Sequence, residues 1–160
     1  MLKKTFISSM IFLSASTITF AKSTTYVGGS VGVNGYSQLS GLGAGASVFA
    51  GKGWFNTSEK LYIGTELGIN AIHNSKYNNA IGIDASILPG VMLTKKTMLY
   101  SRLGLEGDHT AKGSDTFRFG TQVGLGLQTQ ITKKWDARVE YTAFSVNRPA
   151  VGLGLVYKFD

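Results

Sequence analysis

The sequence holds no cysteine in its 160 residues, so whatever fold it adopts is kept together without disulfides. Histidine occurs only at positions 73 and 109, and two lone imidazoles with no thiolate make a poor metal set. Beyond residue 21 no segment approaches the roughly 18 uninterrupted apolar residues that a membrane-spanning helix requires. Acid is the scarcer charge: 9 Asp and Glu face 16 Lys and Arg, a formal net charge of +7. The basic residues alternate with apolar ones or sit in turns, so no basic stripe points to nucleic acid. The excess fits a mild attraction to anionic lipid headgroups instead. A Gly-X-Y period is absent, which excludes collagen despite 21 glycines, and 43% hydrophobic residues exclude a disordered chain.

What is present begins with an export signal. Lys3 and Lys4 precede an apolar stretch from Phe6 to Phe20, and Thr19 and Ala21 occupy the −3 and −1 positions of a small-residue cleavage site. The expectation is a signal peptide over 1–21 and one domain over 22–160, with a net charge of +5 once Lys3 and Lys4 are removed.

Period two dominates that domain. Val27, Val31 and Val33 alternate with Tyr26, Gly28, Ser30 and Gly32; Leu67 and Ile69 with Glu66, Gly68 and Asn70; Leu103 and Leu105 with Arg102, Gly104 and Glu106. Val123, Leu125 and Leu127 alternate with Gln122, Gly124, Gly126 and Gln128, and Val151, Leu153 and Leu155 with Gly152 and Gly154. About eight strands follow, with no convincing helix. Turn-forming stretches rich in Asn, Gly, Ser, Asp and Lys separate them. The segments LTKKTMLYSRLG and ITKKWDARVEY form a faint repeat, their Lys-Lys pairs 38 residues apart, which fits four successive hairpins in an up-and-down meander. Pro89 interrupts the fourth strand pattern, so a bulge or break is expected near Leu88-Pro89-Gly90.

Such a meander closes in one of two ways. A soluble barrel of the lipocalin or avidin kind puts apolar residues inside, whereas a membrane barrel turns them outward. An eight-stranded interior has room only for side chains to fill it. The face carrying the glycines is therefore the cramped one, and it also carries Glu66, Asp84, Arg102, Glu106, Arg118, Arg138 and Glu140. The opposite face is almost uniformly aliphatic or aromatic and would precipitate in water. These residues read as an all-β, eight-stranded antiparallel transmembrane barrel, with short turns at one end and short to moderate loops at the other.

Closure pairs the last strand with the first, so the terminal VGLGLVYKFD must stay paired to its end. Tyr157 and Phe159 then point outward at one rim, where Trp54 and Trp135 complete an interfacial aromatic girdle. The run Gly154-Leu-Val-Tyr157-Lys-Phe159 resembles the C-terminal signal of bacterial outer-membrane barrels. Along its length the chain is similar to the small OmpA/OmpX-like barrels, through Tyr26-Val-Gly28, Gly64-Thr-Glu66-Leu-Gly68, Tyr100-Ser-Arg102-Leu-Gly104 and Arg138-Val-Glu140-Tyr141. The resemblance implies an outer-membrane location in a Gram-negative bacterium and insertion by the barrel assembly machinery, which reads Gly154, Tyr157 and Phe159. It also implies that Glu66, Arg102 and Arg138 join in an ion-pair network plugging the barrel.

Charges in a narrow lumen must be paired, so Glu66, Arg102, Glu106, Arg138 and Glu140 are the candidate interior network. Either they fill and rigidify the barrel, or Arg102 or Arg138 exchanges between Glu66 and Glu106 or Glu140 along a gated ion path. His109 with Ser114 and Asp115 could be imagined as a nucleophilic set, but a polar loop supplies no orientation. No catalytic, metal or cofactor site is expected. The expected loops lie near 35–41, 72–79, 108–115 and 145–149, where Asn74, Tyr77, Asn78 and Lys112 could meet a host ligand or lipopolysaccharide. The reading is a monomeric, non-enzymatic outer-membrane barrel with a structural or surface-interaction role. A small gated channel or porin, or a secreted lipocalin-like carrier, stands behind it.

Overall fold

The computed structural model describes residues 19–35, 42–73, 79–110, 116–144 and 148–159. Eight strands, β1 (Phe20–Gly35), β2 (Leu42–Asn56), β3 (Leu61–His73), β4 (Ala80–Met92), β5 (Thr97–Thr110), β6 (Thr116–Gln130), β7 (Trp135–Phe144) and β8 (Arg148–Lys158), follow one another in a closed antiparallel barrel. β8 returns to β1, from Asn34 opposite Ala150 down to Tyr26 opposite Lys158. The Phe159 amide then donates to the Thr25 carbonyl at 3.0 Å, so the tail is paired to its last described residue. Of the expected signal peptide, residues 1–18 lie outside the described residues, and β1 begins within its last two positions.

Alternation decides which side each residue faces. Leu67 and Phe119 are each 69% exposed on the outside, while Glu66, next to Leu67, is 2% exposed on the inside. The outer wall is a continuous band of Val, Leu, Ile and Phe, including Val31, Ile83, Leu125 and Leu153. Water would not tolerate so large an apolar surface, and lipid demands it. A soluble carrier needs the reverse arrangement, so the lipocalin-like alternative is excluded.

The narrow interior accepts whole rings because glycines stand beside them. A Cβ on Gly126 would collide with the Tyr100 ring, and one on Gly53 or Gly64 would collide with the Tyr62 ring. Gly32 and Gly152 face each other where β1 meets β8. A Cβ on Gly32 would strike the Val151 carbonyl and come within 2.9 Å of the Gly152 Cα, so the closing seam itself requires a residue without a side chain there.

Three four-residue connections lie at one end, here called the turn end. In two of them the sequence repeat becomes a repeat of hydrogen bonds. Thr94 Oγ1 accepts from the amides of Lys96 and Thr97 at 3.2 and 3.0 Å, and Thr132 Oγ1 accepts from Lys134 and Trp135 at 3.3 and 3.1 Å. Leu93 and Ile131 donate to the carbonyls of Thr97 and Trp135 at 2.9 Å each. The third turn uses Asn56, whose Oδ1 accepts from the amides of Lys60 and Leu61, with Glu59 at φ 52°. A non-glycine residue in that left-handed region fits only a tight turn.

The expectation at Pro89 holds in part: the ladder to one neighbour breaks there, but the strand neither bulges nor ends. β4 runs through the proline, Ile63 pairs opposite it on β3, and the register to β5 is the same before and after. What lapses is pairing to β5 across Leu88 and Pro89, between Ile87 opposite Leu103 and Gly90 opposite Tyr100. A missing N–H interrupts one side of one ladder, and unbroken pairing to β3 holds the strand straight.

Candidate functional site

The inward face gathers a plug across the middle of the lumen. Strand β3 brings Glu66, β5 brings Tyr100 and Arg102, and β7 brings Arg138 and Glu140. Arg138 Nη1 donates to Glu66 Oε1 at 2.6 Å and to Oε2 at 3.1 Å, and Arg102 Nη2 donates to the same Oε2. Arg102 Nη1 donates to Ser86 Oγ at 3.2 Å and lies 3.6 Å from Asp84 Oδ1. Its Nε lies 2.9 Å from Glu140 Oε1, close enough for charge pairing though off the hydrogen-bond axis. Tyr100 donates its hydroxyl proton to Glu140 Oε2 at 2.5 Å.

Arg138 has no carboxylate partner besides Glu66 among the described residues. Its Nε and Nη2 donate to Gln128 Oε1 at 3.2 and 2.9 Å, and its guanidinium stacks 4.6 Å from the Phe49 ring centre and 5.1 Å from that of Tyr100. Weak hydration lets a guanidinium take such a seat against aromatic faces. Gln128 Nε2 passes the chain on to Asp136 Oδ2 at 2.7 Å, and Lys158 Nζ lies 2.8 Å from Asp136 Oδ1. A continuous polar string therefore runs from the turn end to the plug. Leu88, Tyr100 and Val156 are fully buried around it.

Of the expected network, Glu66, Arg102, Arg138 and Glu140 meet. Glu106 does not join them. It accepts from Arg148 Nη2 at 3.0 Å at both oxygens, and Arg148 Nη1 donates to Asp108 Oδ2 at 3.1 Å. This second cluster sits nearer the loop end, so a swing of Arg102 or Arg138 onto Glu106 would meet an acid that already has its own arginine. Arg148 and Asp108 were expected in loops because each adjoins turn-like residues. Both are strand residues facing inward, and the one available signal was that Asp108 continues the even-numbered series Arg102, Gly104, Glu106. Arg118, expected inside, is exposed near the loop end.

Trp135 packs edge-on to Tyr157 at 5.1 Å, and Tyr157 to Phe159 at 5.3 Å, on the outer wall at the turn end. Trp54 stands at the same end with Lys52 Nζ 5.9 Å from its ring. Gly154 faces inward beside Ser30, opposite it on β1. His73 Nδ1 contacts Asn79 Oδ1 at 2.6 Å, and His109 lies at the loop end of β5. Asn74, Tyr77, Asn78, Lys112, Ser114 and Asp115 lie outside the described residues, as does most of each expected loop. Among the described residues, no group of three His, Asp, Glu or Cys could hold a metal ion.

Comparison with known proteins places this geometry. The family model described as the outer membrane protein beta-barrel domain matches residues 6–159. No curated protein matches the sequence. Among solved structures, Neisserial surface protein A is 19% identical, over 86% of this chain and 97% of that one, with a TM-score of 0.55. Ail, the attachment invasion locus protein of Yersinia pestis, in complex with the heparin analogue sucrose octasulfate, is 15% identical over 86% and 97%, TM-score 0.55. The N-terminal barrel domain of Pseudomonas aeruginosa OprF is 18% identical over 86% and 100%, TM-score 0.50. At these identities the likeness is one of fold.

Proposed function

Since the chain belongs to the outer membrane protein beta-barrel domain family, and is a protein of the bacterial outer membrane, we propose that it serves there as a closed, non-enzymatic, monomeric barrel with a structural or surface-interaction role. The observation that carries this reading is the plug. A cavity of about 120 Å³ toward the loop end and another of about 330 Å³ at the turn end are separated by the buried group of Glu66, Arg102, Arg138 and Tyr100. An ion crossing that layer would have to part guanidiniums from a carboxylate in a low-dielectric interior, which is costly. The runner-up role as a gated channel loses Glu106 as an exchange partner, because Arg148 holds it.

On this reading the turn end faces the periplasm and the loop end the outside. The signal peptide over 1–21 is removed on export, and Gly154, Tyr157 and Phe159 present the terminal strand to the assembly machinery. Trp54, Trp135, Tyr157 and Phe159 anchor the periplasmic rim in the headgroup layer. Contacts with lipopolysaccharide or a host ligand fall to the loop end.

Planar bilayer recording tests the closed lumen. Purified protein inserted at high density is expected to give no discrete conductance steps across ±100 mV in about 1 M salt, where screening is strongest. Discrete steps that disappear in Glu66→Ala would instead establish a path through the plug.

A further inference from the structure

The cavity at the turn end, about 330 Å³ in volume, lies within the size range of small-molecule sites, and neither the plug nor a loop-end surface role uses it. One side of its floor is apolar: Tyr62 and Met98 are buried, with Phe55 and Met92 packed against them, while Gln128, Gln130 and Asp136 line the other side. Its rim is cationic. Lys95 and Lys96 from the β4–β5 turn and Lys133 from the β6–β7 turn all line it, together with Lys22 and Lys158. Lys22 lies 3.5 Å from Glu59 and Lys158 2.8 Å from Asp136. No described carboxylate stands within ion-pair distance of Lys95, Lys96 or Lys133.

The repeat of the sequence explains how those ammonium groups arrive together. Thr94 and Thr132 fix their two turns by the same side-chain bonds to the backbone, and each turn delivers its lysine pair to the same end of the barrel. One exposed lysine pairs weakly with an anion. Several around one concavity with low-dielectric walls focus their field into it, and an anion with more than one charged group engages them together. The aromatic and thioether floor adds a seat for an apolar body.

We propose that this vestibule is a binding site for a small organic anion that carries two or more carboxylate or phosphate groups on an apolar or aromatic body. The chemistry asks for both halves: the rim for the charges, and the Phe55, Tyr62, Met92 and Met98 floor for the body.

The chain provides its own reporters, because Met92 and Met98 are the only methionines beyond the expected signal peptide. The mature protein, labelled with carbon-13 at methionine methyls, is placed in nanodiscs of zwitterionic lipid at low ionic strength and titrated with benzene-1,3,5-tricarboxylate. Both methyl resonances are expected to shift and saturate. Benzoate, with one carboxylate, is expected to bind at least tenfold more weakly to the unaltered protein. The triple variant Lys95→Ala, Lys96→Ala, Lys133→Ala should lose a similar factor while keeping its heat-modifiable gel mobility. Absence of a saturable shift overturns the proposal, as does equal affinity for benzoate, or for the tricarboxylate in the folded triple variant. If phosphatidylglycerol in the disc moves both methyls and abolishes the response, the rim is a headgroup contact and the proposal fails.

Discussion

Glu66→Ala is expected to lower the stability of the folded barrel by about 3–5 kcal/mol, the cost of leaving a buried charge without its partner. Glu66 is the acid that both central arginines share, and among the described residues Arg138 has besides it Gln128 and the ring faces of Phe49, Tyr100 and, farther off, Tyr26. Removing the carboxylate leaves two guanidiniums facing each other across the lumen. Arg102 keeps Glu140 and Asp84 within reach; Arg138 keeps no ion-paired acid among the described residues. The penalty therefore belongs mostly to Arg138, and Glu66→Ala combined with Arg138→Met should recover much of it. Urea titration of the barrel in lipid vesicles reads both. A single variant within about 1 kcal/mol of wild type, or a double variant equal to the sum of the singles, would show that the plug is not coupled in this way.

Leu125→Arg is expected to cost about 2–4 kcal/mol, because it puts a charge near the bilayer midplane. Leu125 is 58% exposed on the outer face of β6, and in water an exposed Leu→Arg substitution on a strand would be close to neutral. Phe117 supplies the control. It lies on the same face of the same strand and is 63% exposed, but it sits at the loop end. Phe117→Arg should cost only about 0–1 kcal/mol, since a charge near the interface reaches water and headgroups. Equal costs at the two positions, measured by the same urea titration, would mean that depth does not matter and that no lipid surrounds β6.

The faces of the strands were readable from the sequence because the strand period is two and because the two sides differ in kind. Val31 beside Ser30, Leu67 beside Glu66 and Leu103 beside Arg102 leave no ambiguity about pairing charge with glycine inside. The plug was partly readable for the same reason. Which acid meets which arginine was not, because that depends on strand stagger around the barrel, and alternation carries no information about stagger. Glu106 therefore looked like a neighbour of Arg102, four residues along β5, when its partner is Arg148 on β8. Arg148 precedes Pro149 and follows Asn147, and Asp108 precedes His109 and Thr110; local composition at both points reads as turn and hides the strand. Pro89 was legible in part, since the β5 ladder lapses at it while the strand itself does not break. A proline weakens an isolated strand, but closed pairing on its β3 side carries β4 past it. The match of Gly126 to the ring of Tyr100 was likewise beyond reach until register brought β5 and β6 together.

The orientation of the side chains about the barrel wall is the claim on which the plug, the apolar belt and the vestibule all depend, and methyl-to-lipid nuclear Overhauser effects in nanodiscs test it without any substitution. Val31, Leu67, Leu125 and Leu153, on the outside, are expected to show cross-peaks to acyl-chain protons, while Leu88 and Val156, fully buried in the lumen, are expected to show none. Acyl-chain contacts from Leu88 and Val156, with none from Leu67 or Leu125, would contradict the account.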